Sequence, residues 1–273
     1  MDADLITVLK AVGAVVLYLT GGGLLALRLF RGDTGPLTSK PSLLGVAFAG
    51  VVLHAAVLHP QVFTSAGLDL HFFRVLSLTA WTVVLLLCVS SLTKPVENLG
   101  IVVLPLAALT LILDLAYPPP AGSLEPMDWG LRAHILVSIL AYGILSLAAV
   151  QAVLVAVQDR HLRNHHPGGF VRSLPPLQTM ETLLFEMVAV GFALLSLSLF
   201  SGAAFLEDMF AQHLVHKTIL SIVSWVVFGL LLWGRFRHGW RGRTAIRWTL
   251  AGFVVLALAY FGSKLVLELI LKR

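Results

Sequence analysis

Apolar residues in this chain do not alternate with polar ones. They gather into eight blocks, at about residues 5–29, 42–63, 72–92, 98–116, 131–157, 179–204, 217–234 and 248–271. Each block approaches or exceeds the roughly 20 apolar residues that carry an α-helix across the hydrocarbon core of a bilayer. The breaks between them hold the residues that end helices and are solvated outside lipid: RGDTGPLTSK over 31–40, TKPVEN over 93–98, YPPPAGSLEPMDWG over 117–130 and DRHLRNHHPGG over 159–169. Pro105 falls inside the fourth block and is expected to kink that helix. The pattern predicts an all-α polytopic membrane protein, a bundle of eight transmembrane helices forming one integral membrane domain over residues 1–273.

Composition sharpens this. Of 273 residues, 58% are hydrophobic and 12% charged, against about 25% charged in soluble domains, which excludes a soluble globular protein. Eight crossings leave no length for a separate soluble domain. Asp2 and Asp4 stand where a signal peptide carries basic residues, so the first block is expected to be a retained helix. The lone cysteine, Cys88, excludes a disulfide framework, a C-x-x-C redox pair and a C-x-x-C-H haem attachment site.

The net charge of +5 is explained by orientation rather than by nucleic acid. One alternate set of connections holds Arg28, Arg31, Lys40, Lys94, Arg160, Arg163, Arg172, Arg235, Arg237, Arg241, Arg243 and Arg247, and the other only Arg74, Arg132 and Lys217. Basic residues mark the cytoplasmic side, so both termini are expected outside. The Arg235–Arg247 cluster, with Trp240 and Trp248 between, suits contact with anionic lipid headgroups.

Topology also sorts the ten histidines. His161, His165, His166 and His238 sit in basic connections as solvated side chains, whereas His54, His59, His71, His134, His213 and His216 belong to the outer half. Imidazole at membrane depth needs a hydrogen-bond acceptor, a metal or a haem iron. His134, Ser138 and Tyr142 form one stripe at i, i+4 and i+8, expected to face into the bundle. Ala47 and Gly50 share a face with His54, leaving room there for a helix or a flat ligand. His213 and His216 would project together if their segment is helical. Arg132 precedes His134 by two residues and Lys217 follows His216, so each cation lies beside a candidate ligand. No H-E-x-x-H zinc pattern, catalytic triad or paired catalytic carboxylates occur, so no enzyme chemistry is indicated. The Gly21–Gly23 run lies in an apolar block and suits close helix packing.

WGLRAHILVSILAYGIL over 129–145 resembles the segment of CcsA-type cytochrome c assembly proteins in which a histidine opens an outer helix end, followed by a Ser/Tyr-containing apolar run. The stretches HKTILSIVSWVVFGLLLWGR (216–235), GWRGRTAIRW (239–248) and YFGSKLVLELIL (260–271) follow the order of that family's last two helices and basic turn. KPVENLGIVVLPLAAL (94–109) and Leu53–Ala55 resemble its YpjD-type branch, which extends the resemblance over about 40–271. It implies a multi-pass bacterial inner (plasma) membrane protein that handles haem at the outer, periplasmic face, in contact with membrane lipids and cytochrome c assembly partners. The family's external haem ligand falls on His134. Its tryptophan-rich platform is replaced by FAQHLVHKT (210–218), its internal histidine by the region of Trp233, and its second external histidine by that of Leu271. The resemblance leaves His216, His213 or His54 as the iron's partner, with Arg132 and Lys217 for the propionates. Alternatives are an accessory or transport protein meeting a divalent cation at His213, His216, Glu207 and Asp208, and an interaction scaffold without a cofactor.

Overall fold

The computed structural model describes residues 3–32, 35–64, 67–118, 128–164, 171, 173–205 and 215–262. Among them are eight helices long and apolar enough to cross a membrane: α1 (Ala3–Arg31), α2 (Lys40–Val62), α3 (Phe72–Thr93), α4 (Gly100–Ala116), α5 (Trp129–Arg163), α6 (Leu177–Phe205), α7 (Val215–His238) and α8 (Gly242–Ala257), the last continued by a π-helical turn at Leu258–Gly262. A two-residue hairpin, β1 (Phe63–Thr64) with β2 (Gly67–Leu68), joins α2 to α3. The protein is all-α and membrane-spanning.

The two helix ends that depart furthest from the apolar blocks, by six residues each, do so for a polar reason. The fifth helix does not stop at Asp159. Arg163 Nε reaches Asp159 Oδ1 at 2.9 Å one turn back, and the charges of Arg160 and Arg163 in the last turn complement the helix dipole. At 35 residues, α5 is about 52 Å long and overshoots the hydrocarbon core. The eighth helix begins six residues before its apolar block, at Gly242, where Glu181 Oε1 accepts the Gly242 N–H at 2.9 Å. That carboxylate satisfies one of the orphan donors of a helix N-terminus. Residues 263–271 of the expected block lie outside the described residues.

The chain forms two compact units, one of Met1–Pro126 with Pro167–Pro175 and one of Met127–His166 with Pro176–Arg273. In the first, α1, α2, α3 and α4 pack in sequence and α4 returns to α1; in the second, α5 to α8 do the same. Small residues set the closest approaches, as expected where lipid removes the hydrophobic drive between helices. A Cβ on Gly22 would stand 3.2 Å from the Pro105 ring, one on Gly50 2.7 Å from the Tyr18 ring, and one on Gly191 2.5 Å from Leu145. Apolar surface left outside confirms the solvent: Leu5, Val8, Leu9, Val12, Val16 and Leu19 are each about half exposed along one side of α1, a stripe that water would not tolerate and acyl chains cover.

Candidate functional site

The site is built on the start of α5. Asp128 caps this helix, its carboxylate accepting from Leu131 N at 3.0 Å, which sets the register that lines up His134, Ser138 and Tyr142. The stripe faces α6 and α8 within the second unit. His134 Nδ1 lies 3.0 Å from Ser201 Oγ, and Ser138 Oγ lies 2.7 Å from Ser198 Oγ. Tyr142 OH donates to the Leu256 carbonyl at 2.7 Å.

Two serine hydroxyls are shared between backbone carbonyls and the stripe. Ser201 Oγ donates to Ser198 O at 3.0 Å, and Ser138 Oγ donates to His134 O at 2.7 Å. Ser201 Oγ thus stands between the Ser198 carbonyl and His134 Nδ1. A histidine held through Nδ1–H by a neighbouring oxygen is the arrangement in which imidazole serves as a metal ligand.

Aromatic rings surround the inner end of the stripe. The Tyr142 ring packs edge-on against Phe253, Tyr260 and Phe261, with centroids 6.1, 6.4 and 5.4 Å away. Tyr260 and Phe261 stand on the π-helical turn, a widened geometry frequent at functional positions. Lys217 Nζ lies 5.8 Å from the Tyr260 ring centroid, a cation–π distance. Toward the helix start, Trp129 is 74% exposed and meets Phe205 edge-on at 5.1 Å.

The expected site residues are distributed unevenly. His134, Arg132, His216 and Lys217 belong to the second unit, with His216 exposed at the second position of α7. Arg132 is exposed on α5, and two residues along a helix turn it about 200° away from His134. Neighbours in sequence are therefore on different sides of the helix. His213, Glu207 and Asp208 lie outside the described residues. His54 is in the first unit, 0% exposed, with Nδ1 3.2 Å from Tyr18 OH and Nε2 3.0 Å from Ser77 Oγ. Both nitrogens are engaged, tying α1, α2 and α3 together, and the approach that Gly50 permits is taken by Tyr18. Arg74, read from the sequence as a connection cation, sits in the first turn of α3, 5% exposed, with Nε 2.8 Å from Asp114 Oδ1. It is spent on a buried carboxylate and is not open to a propionate. Among the described residues, no three His, Cys, Asp or Glu side chains converge as metal ligands.

Sequence reasoning did not find Ser198 and Ser201, or the part played by Tyr260 and Phe261. The serines are three apart in LLSLSLFSG, a small-polar stripe on an otherwise apolar block, and that spacing was the available signal. Tyr18→Phe is expected to lower stability by about 1 kcal/mol, since it leaves His54 Nδ1 unpaired in the core; denaturant unfolding of the detergent-solubilised protein measures this, and no change would contradict the assignment.

Residues 46–271 match the family described as Cytochrome C assembly protein. The chain is similar to the Inner membrane protein YpjD of Escherichia coli (strain K12), 32% identical over 234 residues that cover 82% of this chain and 86% of that protein. It is also similar to an uncharacterized 28.8 kDa protein of Azospirillum brasilense, 34% identical over 193 residues covering 68% and 71%. The Cytochrome c biogenesis protein CcsA of Synechococcus sp. (strain CC9902) is more distant, 25% identical over 180 residues covering 56% and 59%. No solved structure matches the chain at a significant level.

Proposed function

The chain belongs to the cytochrome c assembly protein family, and from that premise we propose that it binds haem in the second unit, at the periplasmic face of a bacterial inner membrane, with His134 as an axial ligand. The observation that carries this reading is the Ser198–Ser201–His134 arrangement, with Ser201 Oγ 3.0 Å from His134 Nδ1: with the Ser201 proton given to Ser198 O, the imidazole is held through Nδ1–H and Nε2 is the ligating nitrogen. Bound haem would supply an iron with axial positions for imidazole and a redox couple tuned by those ligands.

The remaining roles belong to this chain's own residues. Tyr142, Phe253, Tyr260 and Phe261 give apolar, aromatic surface of the kind a porphyrin slot requires, and stand in for the tryptophan-rich platform of the resembling proteins. His216 is the proposed second ligand, because it shares a unit with His134 and is exposed, whereas His54 has both nitrogens occupied. Lys217 is the proposed propionate partner; Arg132, on the other side of α5 from His134, is not placed for that role. The side proposed for the site rests on the twelve basic residues of one set of connections against three of the other, the count that also supports both termini outside. A haem presented there would be handed to cytochrome c assembly partners.

The test is purification of the full chain from haem-supplemented cells. The expected result is stoichiometric haem with a Soret band; a well-folded protein without haem contradicts the proposal. Ser201→Ala removes the acceptor at Nδ1 and is expected to weaken haem binding by about 10–100-fold, measured by spectral titration.

A further inference from the structure

A second polar cluster lies in the first unit, where the hairpin meets the start of α3 and the end of α4. Asp69 follows β2, His71 directly precedes α3, Arg74 stands in the first turn of α3 and Asp114 in the last turn of α4. Arg74 Nε lies 2.8 and 3.1 Å from the two oxygens of Asp114, and Arg74 Nη1 lies 3.6 Å from Asp69 Oδ2. Asp69 Oδ1 accepts from His71 Nδ1 at 3.1 Å and from the His71 backbone N–H at 3.3 Å. The far nitrogen, His71 Nε2, is buried, makes no hydrogen bond, and stands 3.7 Å from Asp114 Oδ1.

The charges and the geometry agree. Two carboxylates and one guanidinium leave a net −1 at a site where the Asp114 side chain is fully buried and that of Arg74 nearly so, and an uncompensated charge there is costly. Because Nδ1 faces a carboxylate, it is the donor. A neutral His71 would therefore turn a bare Nε2 lone pair toward Asp114 Oδ1, lone pair against lone pair. A proton on Nε2 turns that repulsion into attraction and brings the four side chains to net zero. A metal ion is a poorer occupant, because the Arg74 guanidinium already holds Asp114.

We propose that Asp69, His71, Arg74 and Asp114 form a proton-binding site, in which a proton taken up at His71 Nε2 completes a neutral quartet and pins the hairpin to α3 and α4. The mechanical link is Asp69, whose backbone N–H closes the hairpin on Val62 O at 3.0 Å while its carboxylate holds His71. Among the described residues, the charged side chains within ion-pair distance of His71 are Asp69 and Asp114, with Arg74 bonded to both. His59, at the end of α2, is exposed and packs on Phe63 at 5.4 Å. This inference stands apart from the haem reading, since the quartet and His134 belong to different units.

The experiment uses the full chain in nanodiscs, labelled with 15N-histidine, with amide exchange followed over residues 60–72. Lowering the pH from 9 to 5 is expected to convert His71 to the doubly protonated imidazolium in the nitrogen spectrum. Over the same range hairpin exchange slows at least about tenfold beyond the intrinsic rate change, which is one power of ten in the opening equilibrium. In His71→Gln the hairpin no longer responds to pH. Hairpin exchange in the wild type that ignores pH, or a full response retained in His71→Gln, overturns the proposal. Should that variant fail to fold, the wild-type spectrum decides alone: a His71 that stays singly protonated across the range overturns it.

Discussion

Arg74→Ala is expected to lower the stability of the protein by about 3–5 kcal/mol, the effect of removing one partner from a buried ion pair. The size follows from what is left behind. Asp114 is 1% exposed in the last turn of α4, both its oxygens are bonded to Arg74 Nε, and Asp69 stands on the other side of the same guanidinium. Without Arg74, the carboxylates of Asp114 and Asp69, 0% and 14% exposed, are left with no lysine or arginine within ion-pair distance among the described residues. Arg74→Lys keeps the charge and loses the planar fork, so an intermediate loss is expected. The double change Arg74→Met with Asp114→Leu removes the charge problem with its partner and should recover most of the stability. Unfolding in mixed micelles, followed by far-UV circular dichroism, reads all three. A loss below about 1 kcal/mol for Arg74→Ala would mean that water reaches the pair.

His134→Ala is expected to abolish specific haem binding, a loss greater than the 10–100-fold assigned to its supporting serine. Its effect on folding should be small. His134 is only partly buried and its bond to Ser201 joins two helices that also meet through Ser138 and Ser198. Added imidazole should restore part of the spectrum by entering the space the side chain leaves. His54→Ala is the opposite case: it removes the node joining Tyr18 and Ser77, lowering stability while leaving the haem spectrum in place. The two histidines thus separate a ligand from a packing residue by two independent readouts.

The helices were legible because the bilayer imposes a length and an apolar content that no internal packing can disguise. What failed was anything decided by a partner distant in sequence. Arg74 sits at the edge of an apolar block, which looks the same from the sequence whether the guanidinium is solvated or buried, and its partner Asp114 is forty residues away inside the most apolar helix. His54 looked available for the same reason, since nothing in its own helix announces Tyr18 or Ser77. The stripe of His134, Ser138 and Tyr142 was readable because i, i+4, i+8 spacing is a property of one helix. Its completion by Ser198 and Ser201 on α6, and by Tyr260 and Phe261 on a π-helical turn, is a property of how helices meet. The continuation of α5 through Arg163 was hidden because charges that end an apolar block also stabilise a helix emerging from lipid.

The most direct test of the haem reading is a titration of the purified full chain with haemin, recorded as absorption spectra for the wild type, His134→Ala and His216→Ala side by side. A saturable Soret band of a bis-imidazole iron is expected in the wild type, its loss in His134→Ala, and a shifted band of altered ligation in His216→Ala. Identical spectra for the wild type and His134→Ala, with both proteins folded, would contradict the haem reading.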